Sequence, residues 1–151
     1  MAWSSMVRRS RNSDGRSVPK PTRTRPVSGV QVRSYASKAE EYADAAANEF
    51  EAERFIAATM LAIHAAINAA DAVCGARLGQ RAAGEDHDHV LTLLRQAGPD
   101  GAKVEKELRR LLPLKTKAEY EPDDVAPGIA AKAVERARRC VAVARMMAAA
   151  T

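Results

Sequence analysis

Alanine decides what this chain can fold into. Of its 151 residues 32 are alanine, while Phe, Trp and Tyr together supply only 4%. Alanine is the strongest helix former and is depleted from strands, so an all-β fold is excluded. Nor are the alanines scattered. Phe55, Ala58, Ala62, Ala65, Ala69, Ala72 and Ala76 recur at intervals of three and four, the period of a single buried helix face. A stripe of such small residues lets a neighbouring helix approach closely. With one domain's length, the chain is expected to be all-α, a four- to five-helix up-and-down bundle without strands.

Local signals divide the bundle. Ser37-Lys38-Ala39-Glu40 has capping-box spacing, which places a first helix from about Ser34–Ser37 to Ala47. Asn48-Glu49-Phe50-Glu51 is the weakest point of the following run, but it has no Gly or Pro, so a break and a continuous bent helix both fit. The second helix is expected over about Glu51–Leu78, stopped by Gly75 and Gly79. Gln80–Asp86 reads as a polar loop. A short helix over about Asp88–Gln96 ends at Gly98-Pro99, and Asp100 is placed to cap a fourth. Pro113 should kink or end that helix. Asp124 is a plausible N-cap for the last helix, with Pro127 in its first turn and its end near Met147.

Charge is concentrated at the start. Residues 1–30 hold seven Arg and Lys against Asp14 alone, and the other 121 residues are close to neutral. This Arg-, Ser- and Pro-rich segment has no apolar period and is expected to be a disordered basic arm ahead of a bundle spanning 31–151. Its cations, among them Arg8, Arg9, Arg11 and Arg16, suit salt-sensitive, sequence-blind contact with RNA or DNA, with Trp3 available to stack on a base. The plainer reading of the same residues is a solvated tail. No apolar stretch follows the basic start as an export signal requires, and the expected compartment is cytoplasmic. Phe55–Ala76 is apolar enough to suggest a membrane span. However, it contains His64, Asn68 and Asp71, and a central Asp costs roughly 2.5–3.5 kcal/mol on insertion scales. A core helix is the expectation, with no membrane partner.

Four groups of residues can carry chemistry. His64, Asn68 and Asp71 share one helix face at i, i+4 and i+7, either as an acid/base or ligand rail or as a hydrogen-bonded ladder. Asp86-His87-Asp88-His89 puts its histidines about 200° apart on a helix and has no partner motif for zinc, so no metal or other cofactor is expected. Lys115, Lys117 and Tyr120 can hold a phosphate and stack a base, or simply form an exposed turn. Cys74 and Cys140 sit in apolar helices as core filler. The chain contains no Gly-rich phosphate loop and no Ser elbow.

Taken together, Ala62-Ile63-His64-Ala65-Ala66-Ile67-Asn68-Ala69-Ala70-Asp71-Ala72, then His87/His89 with Val90-Leu91-Thr92-Leu93-Leu94, then Leu111-Leu112-Pro113-Leu114-Lys115-Thr116-Lys117-Ala118-Glu119-Tyr120, resemble the HEPN superfamily over about residues 32–148, as a divergent bacterial member. The resemblance implies a helical bundle, commonly a homodimer, that handles RNA or nucleotides in toxin–antitoxin or phage-defence settings. A nucleotidyltransferase-type partner protein belongs to the same picture. Active members resemble metal-independent endoribonucleases with an Arg and a His separated by four to six residues. Here the late block reads Lys115-x4-Tyr120 and lacks both. Arg81-x5-His87 has the spacing but lies earlier. The expected function is therefore non-catalytic binding of nucleic acid, nucleotide or a partner protein. Two alternatives stand beside it: an active ribonuclease drawing on His64, Asn68, Asp71, Arg81 or His87, and a structural or antitoxin-like interaction module.

Overall fold

A computed structural model describes residues 23–84 and 87–151. In chain order the elements are β1 (Thr24–Pro26), α1 (Gly29–Glu51), α2 (Phe55–Leu78), β2 (Gln80–Ala82), α3 (His87–Gln96), α4 (Gly98–Tyr120) and α5 (Pro127–Ala149). The five-helix bundle matches the expected class. Helices α1, α2, α4 and α5 alternate in direction, and α3 packs on one flank of α4 and on α2.

The alanine stripe builds the centre. Ala58, Ala62, Ala65, Ala69 and Ala72 of α2 are fully buried, and Ala39, Ala46, Ala133, Ala137 and Ala144 meet them from α1 and α5. Interaxial distance is set by the side chains at the contact, so α2 and α5 pack directly while α1 and α4 each touch both. Larger residues fill the remaining space: Ile63, Leu94, Leu108 and Leu111 are among the biggest fully buried side chains. Gly75 stays inside α2. A Cβ there would lie 2.6 Å from Cγ1 of Val27, so its absence admits the segment leading into α1. Of the described helices, α2 is long and apolar enough to cross a membrane, but much of it is buried inside the bundle.

Several expectations need correction. α1 begins at Gly29, not near Ser34–Ser37. Ser28 caps it, its Oγ accepting from the Gln31 amide while Gln31 Oε1 accepts from the Ser28 amide. This is a Ser–Gln capping box that outcompetes the one read at Ser37. The expected arm is also too long. Its residues 1–22 lie outside the described residues, but 24–30 form β1 and open α1.

Strands are present, contrary to expectation. β1 pairs antiparallel with β2, Arg25 opposite Arg81, and the Val27 amide donates to the Gly79 carbonyl. Asp100 does not cap α4 but sits in its first turn and pairs with Arg77 at 2.7 Å. Pro113 does not end α4, which runs on to Tyr120. Ala126, not Asp124, is the N-cap of α5.

Candidate functional site

The outer face of α2 is not covered by α5. His64, Asn68 and Asp71 lie on it, all partly exposed, as their spacing implied. Asn68 donates from Nδ2 to the His64 carbonyl one turn back at 2.8 Å, which fixes its amide along the helix. α1 supplies one wall. Tyr35, Lys38 and Tyr42 recur there at i, i+3 and i+7, and the Tyr42 ring lies 5.7 Å from the His64 imidazole. Lys115 of the last turns of α4 supplies charge from the other side, paired with Glu119 at 2.9 Å. β2 closes one end, its Arg81 guanidinium 5.8 Å from the centre of the Tyr35 ring, within cation–π range.

The result is a polar strip in which three helices and a strand converge. Burial holds the His64 pKa below its ordinary value, Lys115 and Lys38 push the same way, and Glu119 opposes them. The imidazole is therefore neutral near pH 7. Asp71 goes the other way. Burial raises its carboxyl to about 7 against the pull of Arg81 and Lys38, so near neutrality it is divided between acid and carboxylate. Burial thus favours the neutral form of both groups, and perturbed titratable groups of this kind cluster at functional sites.

Of the residues singled out from sequence, the fold thus gathers His64, Asn68, Asp71, Arg81 and Lys115. Lys117 and Tyr120 are not gathered. Both point away from Lys115 around α4, and Tyr120 is 73% exposed beyond the strip. His87 opens α3, while His89 turns into the core. Arg8, Arg9, Arg11 and Arg16 lie outside the described residues. Tyr35, Lys38 and Tyr42 escaped the sequence reading. Their shared face on the first helix was the available signal, but Lys38 was absorbed into a supposed cap.

Among the described residues, no group of three or more His, Cys, Asp and Glu side chains is placed to hold a metal ion. The two thiols are buried and their pKa values pushed up to about 12, for Cys74 by burial and then Asp71, for Cys140 by burial and then Glu107. Neither supplies a thiolate.

No curated protein matches the chain. A family model described as "HEPN domain" matches residues 32–148, a span that runs from the first core residue of α1 to the end of α5 and contains every residue of the strip. The chain belongs to the HEPN domain family.

Proposed function

We propose that the strip on α2 is a nucleotide- and RNA-binding site that does not cleave its ligand. One observation carries this reading. Lys38, Arg81 and Lys115, from three separate elements, surround a helix face bordered by the rings of Tyr35 and Tyr42. Cations suit phosphate, aromatic rings suit a base, and Asn68 can read a base or ribose edge.

The absence of cleavage rests on distance. A general acid and a general base must both come within hydrogen-bond reach of one phosphodiester. His64 and Asp71 are two helical turns apart, about 10.5 Å along the axis, with the non-titrating Asn68 between them. The late Lys115-x4-Tyr120 block brings no second imidazole, and Tyr120 points away. In this proposal the protein is a cytoplasmic homodimer of the toxin–antitoxin or defence type, regulated through a nucleotidyltransferase-type partner.

A second reading, a metal-independent endoribonuclease, is favoured by the neutral His64 and the protonatable Asp71 in one strip. Two measurements decide. Calorimetric titration with nucleoside 5′-monophosphates should show binding that Arg81→Ala weakens at least tenfold. Labelled single-stranded RNA incubated with the protein in EDTA should stay intact. Cleavage lost in His64→Ala would establish the second reading, and failure of all four monophosphates to bind would reject the first.

A further inference from the structure

The helices divide the molecule's charge. α1 carries five acidic residues against Arg33 and Lys38, whereas α5 carries Lys132, Arg136, Arg138, Arg139 and Arg145 against Glu135 alone. Of these, Arg138 and Arg145 turn back to pair with Asp44 and Glu40 of α1, which leaves Lys132, Arg136 and Arg139 toward α4. On α4, Lys103, Lys106, Arg110 and Lys117 follow one another at intervals of three, four and seven. These intervals keep all four on one stripe, which faces away from the buried Val104, Leu108 and Leu111. Between Lys103 and Lys117 the acidic residue closest to it is Glu107, four residues after Lys103 and three before Arg110.

The two glutamates nearest the stripe are withdrawn to its flanks. Glu107 is buried toward α5, where its Oε2 accepts from Arg136 at 3.0 Å and from Arg139 at 3.2 Å. Glu105 is buried toward α3, where its Oε1 accepts from Arg95 at 3.1 Å. Each therefore steers guanidinium groups beside the stripe instead of cancelling it. Arg139 and Arg95 keep about half of their side-chain surface in solvent.

We propose that this face, the crest of α4 with the adjoining flank of α5, docks the phosphate backbone of RNA. A straight row of cations about 21 Å long, from Lys103 to Lys117, complements a regularly charged polyanion. With no aromatic side chain in the row, it contacts phosphates without reading bases. The choice of RNA among polyanions rests on the nucleotide reading of the α2 strip, which lies on the opposite side of α4. The charge pattern itself does not rest on that reading. A second copy fits less well. Basic α4–α5 meeting acidic α1 of another molecule is a head-to-tail contact and not the self-complementary one of a two-fold dimer, and Glu40 and Asp44 of α1 already pair with Arg145 and Arg138 of their own chain.

The test measures binding of the full-length protein to a fluorescein-labelled single-stranded RNA by anisotropy, from 50 to 200 mM salt. Each phosphate contact on a single strand contributes about 0.7 to the slope of log affinity against log salt. The triple variant Lys103→Gln, Lys106→Gln, Arg110→Gln should lower that slope by about 2 and weaken binding at 50 mM at least tenfold. All three positions are exposed, and unchanged thermal unfolding checks the fold; Lys103→Ala with Lys106→Ala serves if the triple variant unfolds early. Monophosphate binding at the strip should be unaffected, so the two proposals fail separately. The docking surface is overturned by any of three results: an unchanged slope and affinity, equally tight binding of poly-L-glutamate, or low-salt assemblies in light scattering that the variant abolishes.

Discussion

Glu53 holds a backbone conformation normally left to glycine. Its φ is +59°, and around it the Glu53 amide donates to Phe50 and the Arg54 amide to Glu49. That is the Schellman pattern, which ends a helix with a left-handed residue. The break between α1 and α2 is therefore set by closing these two bonds and by Phe50 meeting Phe55 at 5.6 Å, not by a breaker residue. A Cβ in this region is strained, so Glu53→Gly should raise stability by about 0.5–1 kcal/mol, read as a higher urea midpoint with the same slope.

Asp71 makes the opposite kind of prediction. An aspartate ordinarily near 3.8 is raised to about 7 by burial, so the folded state binds a proton that the unfolded chain releases. Stability tied to this group is complete below about pH 4 and is lost as pH climbs through 7. That gap is worth up to about 4 kcal/mol, which partial solvent access trims to about 2. Asp71→Asn should unfold at the same temperature as the native chain near pH 4 and at a higher one at pH 8. Identical profiles for the two proteins would remove burial as the cause.

Between elements, the closest fit joins α3 to α4. A Cβ on Gly101 would overlap the Leu94 carbonyl oxygen and sit 2.6 Å from the Ala97 Cβ, and a backbone atom cannot move aside as a flexible side chain can. Gly101→Ala, which would favour an isolated helix, should here cost about 2–3 kcal/mol. Gly128→Ala at the start of α5, where no atom lies within 4 Å, should be neutral or slightly stabilising in the same denaturant series.

What the sequence disclosed follows the same division. The stripe of α2 was legible because periodicity is local, and so was the rail of His64, Asn68 and Asp71, which one helix carries. The end of α1 was not, because Glu53 bears no mark of a left-handed residue. β1 and β2 were not, because three-residue strands have no readable period and pair across the whole of α1 and α2. Tyr35, Lys38 and Tyr42 became part of the site only through the docking of α1 on α2. Arg81 was noticed for its distance in sequence from His87, whereas the fold sets it against Tyr35 and near Asp71.

At the scale of the whole molecule, the question is where the cooperative unit begins. The family match starts at residue 32, but the structure ties the preceding segment into the bundle. Val27 is buried beside Gly75, its amide bonds Gly79, and Ser28 caps α1. β1 also holds β2, which carries Arg81 into the site. A chain starting at residue 29 should therefore be less stable than one starting at 23. The lost cap accounts for about 1 kcal/mol, and the emptied Val27 pocket for about 1–2 more. The chain starting at 29 should also bind monophosphates more weakly, because Arg81 loses the strand that positions it. Equal unfolding midpoints for the two chains would place the start of the unit at α1 itself. Equal stability with weakened binding would instead show that the β1–β2 pair serves the site and not the fold.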